Sequence, residues 1–117
     1  MAYDFACCSP LDKPHGILID MRILFIGYIV GKPGRDIVCR AIGPLRAKEN
    51  LDFIIANAEN SAGGSGLTPA NYRELTSAGV DCITLGDHIY RRKEIEKILT
   101  TKDNIVKPAN YPPGAPG

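Results

Sequence analysis

Ile23-Leu24-Phe25-Ile26-Gly27-Tyr28, Phe53-Ile54-Ile55-Ala56-Asn57-Ala58-Glu59-Asn60 and Cys82-Ile83-Thr84-Leu85-Gly86-Asp87-His88 decide the fold. Each stretch is a run of four apolar or weakly polar residues followed at once by a small polar cluster. Runs of that length without polar alternation read as strands buried in a parallel sheet, and in such sheets functional groups collect beyond the strand carboxyl ends. The three clusters are therefore expected side by side on one edge.

The intervening segments complete a βαβ pattern. Gly31-Lys32-Pro33-Gly34 reads as a turn. Arg35 to Ile42 then places Ile37, Val38, Ala41 and Ile42 on one helical face, with Asp36 in the first turn, where a carboxylate favours the helix dipole. Gly43-Pro44 is expected to break or kink that helix, and Leu45 to Glu49 to add a further turn. Thr68-Pro69 opens a helix with a capping hydroxyl and a proline at the first helical position, and Gly79 closes it after Ala78. Arg91 to Leu99 forms a third helix with Ile95, Ile98 and Leu99 inward and its charges outward, Arg92 and Glu96 being spaced to pair. Ile105 to Lys107 supplies a fourth short strand. The fold class is thus α/β, with about four mainly parallel strands and crossover helices.

The 117 residues are 44% hydrophobic and 23% charged, with a formal net charge of +1. A domain of this size buries roughly two thirds of the surface its unfolded chain exposes, so one domain is the ceiling. The near-zero charge argues against an extended nucleic-acid surface. No apolar run reaches membrane-spanning length, and Asp4, Asp12, Lys13, Pro14 and His15 interrupt the start where a signal peptide needs an apolar core, so a cytoplasmic location is expected. Met1 to Asp20 reads as a disordered leader, Met21 as a natural start, residues 21–108 as the structured part, and 109–117 as a Pro/Gly-rich tail of a truncated chain. Cys7 and Cys8 are adjacent while Cys39 and Cys82 stand alone, so metal-ligand spacing is absent and neither lone cysteine is a good nucleophile.

Glu59 is a carboxylate at the end of an almost wholly apolar strand, which makes it a loop residue, a metal ligand or a general base. Asn60 suits turn chemistry or ligation. Asp87-His88 joins a hard oxygen donor to the side chain best matched to proton transfer near neutral pH. Ser61 to Gly66 holds three glycines and brings backbone amides near a strand end, as phosphate sites do. A non-catalytic phosphate- or nucleotide-binding module, or an interaction protein pairing through an uncovered sheet face, are the alternatives to an enzyme.

From Met21 to Gly117 the chain resembles the first part of the calcineurin-like metallophosphoesterases, in the bacterial YmdB-like branch of cyclic-nucleotide phosphodiesterases. The likeness rests on Met-Arg-Ile-Leu-Phe-Ile-Gly at 21–27, Gly-Lys-Pro-Gly-Arg-Asp at 31–36, Asn-Ala-Glu-Asn at 57–60, Gly-Leu-Thr at 66–68, Gly-Asp-His at 86–88 and Lys-Pro-Ala-Asn-Tyr-Pro at 107–112. It implies an αββα sandwich of which this chain carries a part, two divalent metal ions (Fe, Mn or Zn) and hydrolysis of a phosphodiester such as a 2′,3′-cyclic nucleotide. By resemblance Glu59, Asn60 and Asp87 are metal ligands and His88 is the catalytic acid. Two positions depart from the family pattern: Tyr28 stands where an aspartate ligand belongs, and Asp87 where an asparagine does. The histidines that the downstream half supplies are absent, so the resemblance implies at most half of a two-metal site, weak activity alone, and either self-association or a missing C-terminal half as partner.

Overall fold

The computed structural model describes residues 20–117, so the leader, with Cys7, Cys8 and His15, lies outside the described residues. Four strands, β1 (Ile23–Ile26), β2 (Phe53–Asn57), β3 (Cys82–Thr84) and β4 (Ile105–Val106), form one sheet in the order β1-β2-β3-β4. Every neighbouring pair is parallel, with Leu24 opposite Ile54, Ala56 opposite Ile83, and Ile83 opposite Ile105. The expected parallel α/β architecture is present.

The sequential order has a geometric consequence. Right-handed crossovers that all step in the same direction put every helix on the same face. Helices α1 (Gly31–Glu49), α2 (Pro69–Ala78) and α3 (Glu96–Thr101, entered through a 3-10 turn at Lys93–Ile95) accordingly share one core. Val38 and Ile42 of α1, Tyr72 and Leu75 of α2, and Ile95 and Leu99 meet Ile54, Ala56, Ile83 and Ile105 of the sheet there. Each fully buried aliphatic side chain of this kind contributes roughly 1.5–3 kcal/mol. The alternate strand residues look the other way: Ile23, Phe25, Phe53 and Val106 remain exposed on a bare apolar sheet face.

Helix α1 departs from expectation in three ways. It begins at Gly31, so the supposed turn is its first turn, and it runs unbroken through Gly43-Pro44 to Glu49. An interior proline costs a helix about 3 kcal/mol, and tertiary contacts on both sides of Pro44 offset it. Val38 and Ile42 anchor the helix to the sheet, while Arg46 donates to the carbonyl of Gly79 and pairs with the Asp81 carboxylate. The earlier start moves Asp36 out of the first turn, where Lys32 instead donates to it at 2.6 Å. Ile37 is exposed rather than inward, since it faces the open groove beside Leu24 and Ile26 on the unflanked side of β1.

Helix α2 follows its sequence signals closely. The Thr68 hydroxyl accepts from the Asn71 amide at 3.2 Å, and Gly79 ends the helix with a φ of +116° that side chains rarely adopt. Arg92 does not pair with Glu96, because its guanidinium reaches across to the carbonyls of Ala62 and Ser65. Residues 108–117 fold back on the sheet edge: Tyr111 packs edge-on against Tyr90 at 5.6 Å, and the Tyr90 hydroxyl donates to the Pro116 carbonyl at 2.8 Å. Among the described residues no helix is long and apolar enough to cross a membrane.

Gly43 sits exposed in the interior of α1 with open space where a Cβ would stand. The next residue is Pro44, whose ring crowds the Cβ of a preceding residue in helical conformation, so Gly43→Ala is expected to destabilise the fold, read as a lower urea midpoint at unchanged slope.

Candidate functional site

The carboxyl ends of β2 and β3 run straight into the two polar clusters, and the backbone ties them together. The Ala58 amide donates to the Thr84 carbonyl at 3.1 Å, and the carbonyl of Asn60 accepts from the amides of Gly31 and Gly64, both at 3.0 Å. A bridge between Val30 and Asn60 extends the sheet past its last named residues. Asn60 is thus held from both flanks before its side chain does anything.

Glu59, Asp87 and His88 converge: each offers one ligating atom, and these lie within 4.8 Å of one another. The His88 ring reaches two different partners. Its Nδ1 lies 2.6 Å from Asn60 Oδ1 and its Nε2 3.7 Å from Asp87 Oδ2. The His88 backbone amide donates to Glu59 Oε2 at 3.4 Å, which helps to aim that carboxylate across the strand ends. The Asp87 side chain is 83% exposed, so it is free to turn toward a cation or a substrate. Asn60 is 3% exposed, and its Nδ2 is buried without a hydrogen-bond partner.

Gly86 carries a role that motif reading alone leaves unexplained. A Cβ at this position would overlap both oxygens of the Glu59 carboxylate. Only a glycine lets the acid lie against the backbone just past β3, and the signal in the sequence is the glycine inserted between an apolar strand and Asp87-His88. Two other contributors escaped the sequence pattern because their partners are remote. Arg35, largely buried, donates to Glu74 at 2.7 Å and to the Ser61 carbonyl, and Arg92 secures the far side of the same loop.

The glycine loop does not present an anion cradle. The amides of Ser61, Ala62, Gly64, Ser65 and Gly66 all donate to carbonyls between Ala58 and Gly66, folding the loop on itself. At the start of α1, the amides of Gly31 and Gly34 are likewise committed to Asn60 and Val30, and Pro33 has none. Tyr28 is 63% exposed, and among the described residues the only three-membered group of acids, histidines and cysteines near enough to share a cation is Glu59, Asp87 and His88.

The carboxylate oxygens of Glu59 and Asp87 match the donors that Fe, Mn or Zn accept, with the His88 imidazole alongside, and the glycine-sized cradle holding Glu59 fits a ligand that must be aimed precisely. The described residues fit one divalent cation; a second would lack donors of its own.

A parallel α/β sheet with acids and a histidine gathered beyond its strand ends defines a phosphatase-type fold with a candidate metal centre. Comparison places it further: the profile of the YmdB-like protein family matches residues 24–117, and the chain belongs to that family. It is 47% identical over 97 residues to a 2′,3′-cyclic-nucleotide 2′-phosphodiesterase of Bacillus subtilis, covering 83% of this chain and 37% of the relative. A putative phosphatase/phosphodiesterase of Mycoplasma genitalium is 35% identical over 91 residues, covering 78% of this chain and 32% of the relative. Two crystal structures superpose well. A hypothetical protein from Thermus thermophilus gives a TM-score of 0.77 at 43% identity, covering 83% of this chain and 37% of that one. A Mycoplasma pneumoniae phosphatase gives 0.74 at 33% identity, covering 79% and 33%. The chain spans about a third of the length of these relatives.

Gly86→Ala is expected to leave the fold intact, since the far end of the Glu59 side chain can move aside, but to weaken Mn²⁺ binding by about 10–100-fold in calorimetric titration. Unchanged affinity together with a native spectrum would refute the cradle. Burial pushes the thiols of Cys39 and Cys82 up, with Glu74 and Asp36 adding to the effect at Cys39. Both should alkylate with iodoacetamide more slowly at neutral pH than a free thiol, as peptide mass spectrometry would report.

Proposed function

We propose that this chain is the N-terminal part of a metal-dependent phosphodiesterase acting on phosphodiesters of the 2′,3′-cyclic nucleotide class, with little activity by itself. The observation that carries the proposal is the gathering of Glu59, Asp87 and His88 at the strand ends of a chain belonging to a family with phosphodiesterase members. Glu59, Asn60 and Asp87 supply oxygen ligands, and His88 is the proton donor to the leaving oxygen. A bound divalent cation (Fe, Mn or Zn) would polarise the phosphate and lower the pKa of the attacking water. The residues' own share is to aim the carboxylates across the strand ends and to hold an imidazole next to them.

The bare sheet face supports a companion reading of the architecture. Ile23, Phe25, Phe53 and Val106 form an apolar patch of the kind that marks an association surface. On this reading residues 21–108 are the N-terminal half of the domain, with 109–117 packed back against it through Tyr111. The partner for the exposed face is then either the polypeptide corresponding to the rest of the relatives' length or, failing that, a second copy.

The test is a chimera in which residues 21–117 replace the matching segment of the Bacillus subtilis relative. With Tyr28→Asp the chimera is expected to hydrolyse a 2′,3′-cyclic nucleotide, and adding Glu59→Gln should abolish turnover. The isolated chain should hydrolyse bis-p-nitrophenyl phosphate negligibly with Mn²⁺ present, and Tyr28→Asp alone should not rescue it. An inactive Tyr28→Asp chimera that folds and binds Mn²⁺ would overturn the proposal.

A further inference from the structure

We infer that residues 108–117 form a strap that positions the Asp87-His88 turn, with Tyr90 as the positioning residue on which the strap closes. The inference rests on the phosphodiesterase reading for its catalytic meaning, while its geometry stands on contacts within the chain.

The sheet ladder stops short of the site. On the β4 side it ends where the Leu85 amide donates to the Val106 carbonyl at 3.2 Å, and Asp87 and His88 come after that link. From there the backbone turns on itself, the Ile89 amide donating to the Gly86 carbonyl at 3.2 Å and the Arg91 amide to the His88 carbonyl at 3.0 Å. Bonds this local fix the shape of the segment and leave its placement to the side chains that follow. Ile89 is buried in the core, and Arg92 reaches the carbonyls of Ala62 and Ser65. Tyr90 supplies the third hold: its ring meets Tyr111 edge-on at 5.6 Å, and its hydroxyl donates to the Pro116 carbonyl at 2.8 Å.

The strap is stiff enough to serve as a support. Pro108, Pro112, Pro113 and Pro116 each restrict a φ. The Tyr111 amide donates to the Pro108 carbonyl at 3.1 Å and the Ala115 amide to the Pro112 carbonyl at 3.0 Å. Lys107, directly after β4, reaches the carbonyls of Pro113 and Ala115 through its Nζ and ties the strap back to its own root. Since β4 lies beside β3, the strap leaves the sheet next to the turn it returns to hold. Tyr90 acts on Asp87 and His88 through the turn they share, as supporting groups do where donors must be held to a small fraction of their own length.

The experiment is amide hydrogen exchange followed by NMR on the full chain without metal, read at Arg91, whose amide donates to the His88 carbonyl, with the Leu75 amide of α2 as reference. Tyr111→Ala is expected to speed exchange at Arg91 by about tenfold more than at Leu75. Tyr90→Phe, which keeps the ring and loses the donor, should do so by about 3–10-fold. Tyr111→Phe keeps the ring pair and should restore the slow rate. Calorimetric titration with Mn²⁺ is the second readout, where Tyr111→Ala should lose about tenfold in affinity and Tyr111→Phe should match the unsubstituted chain. Equal acceleration at Arg91 and Leu75, or none at Arg91, overturns the inference, because the tail then adds only to general stability or to nothing. A loosened turn with unchanged Mn²⁺ affinity overturns it too. If Tyr111→Ala fails to fold, Tyr90→Phe decides by the same two measures. An unsubstituted chain that binds no Mn²⁺ counts against the metal reading of the site and leaves exchange to decide the strap. Hydrolysis enters neither readout, so an inactive chimera and a failed strap are separate results.

Discussion

One constraint organises this molecule: four parallel strands laid down in sequential order, each crossover stepping the same way. That order sends all three helices to one face and every strand terminus that precedes a polar cluster to one edge. Glu59 and the Asp87-His88 pair, 28 and 29 residues apart along the chain, become neighbours because β2 and β3 are adjacent and in register from Ile55 opposite Cys82 to Asn57 opposite Thr84. The same constraint leaves the other sheet face bare, since no connection has cause to cross it.

The site itself depends on close approaches. Glu59 lies where a side chain on residue 86 would otherwise be, and Asn60 is locked between the start of α1 and the glycine loop. Arg35 and Arg92 hold that loop from two sides through its carbonyls, which turns its amides inward. A loop whose glycine content suggests an anion site is in this way a rigid support for the residue before it. The candidate site is built from carboxylates and an imidazole, with backbone amides serving the scaffold.

The departures from the family pattern gain meaning from the same geometry. Tyr28 ends the first strand region with an exposed phenol, and among the described residues Glu59, Asp87 and His88 are the one group of acids, histidines and cysteines close enough to share a cation. Asp87 adds a carboxylate charge beside Glu59, the kind of oxygen donor that suits a hard cation. The chain spans 37% of a 2′,3′-cyclic-nucleotide 2′-phosphodiesterase, and its sheet carries a bare apolar face opposite the helices.

Strand positions, the Thr68-Pro69 and Gly79 limits of α2, and the convergence of Glu59, Asp87 and His88 were legible in the sequence, because apolar period, capping chemistry and parallel topology are local or topological properties. Helix α1 was misread at Gly43-Pro44 since the contacts that carry it past a proline, Val38 and Ile42 on the sheet and Arg46 on Asp81, are formed with residues far along the chain. Ile37 looked buried by helical period and is exposed because β1 is an edge strand, a fact of sheet order and not of the helix. The Arg92 clamp, the Glu59 carboxylate against Gly86, and the Asn60 side chain against His88 each join side chains from different loops. Sequence by itself determined which elements form and which edge they furnish; tertiary structure decided what each functional atom touches, because contacts of a few ångströms between separate loops depend on how whole elements pack and leave no periodic trace in the order of residues.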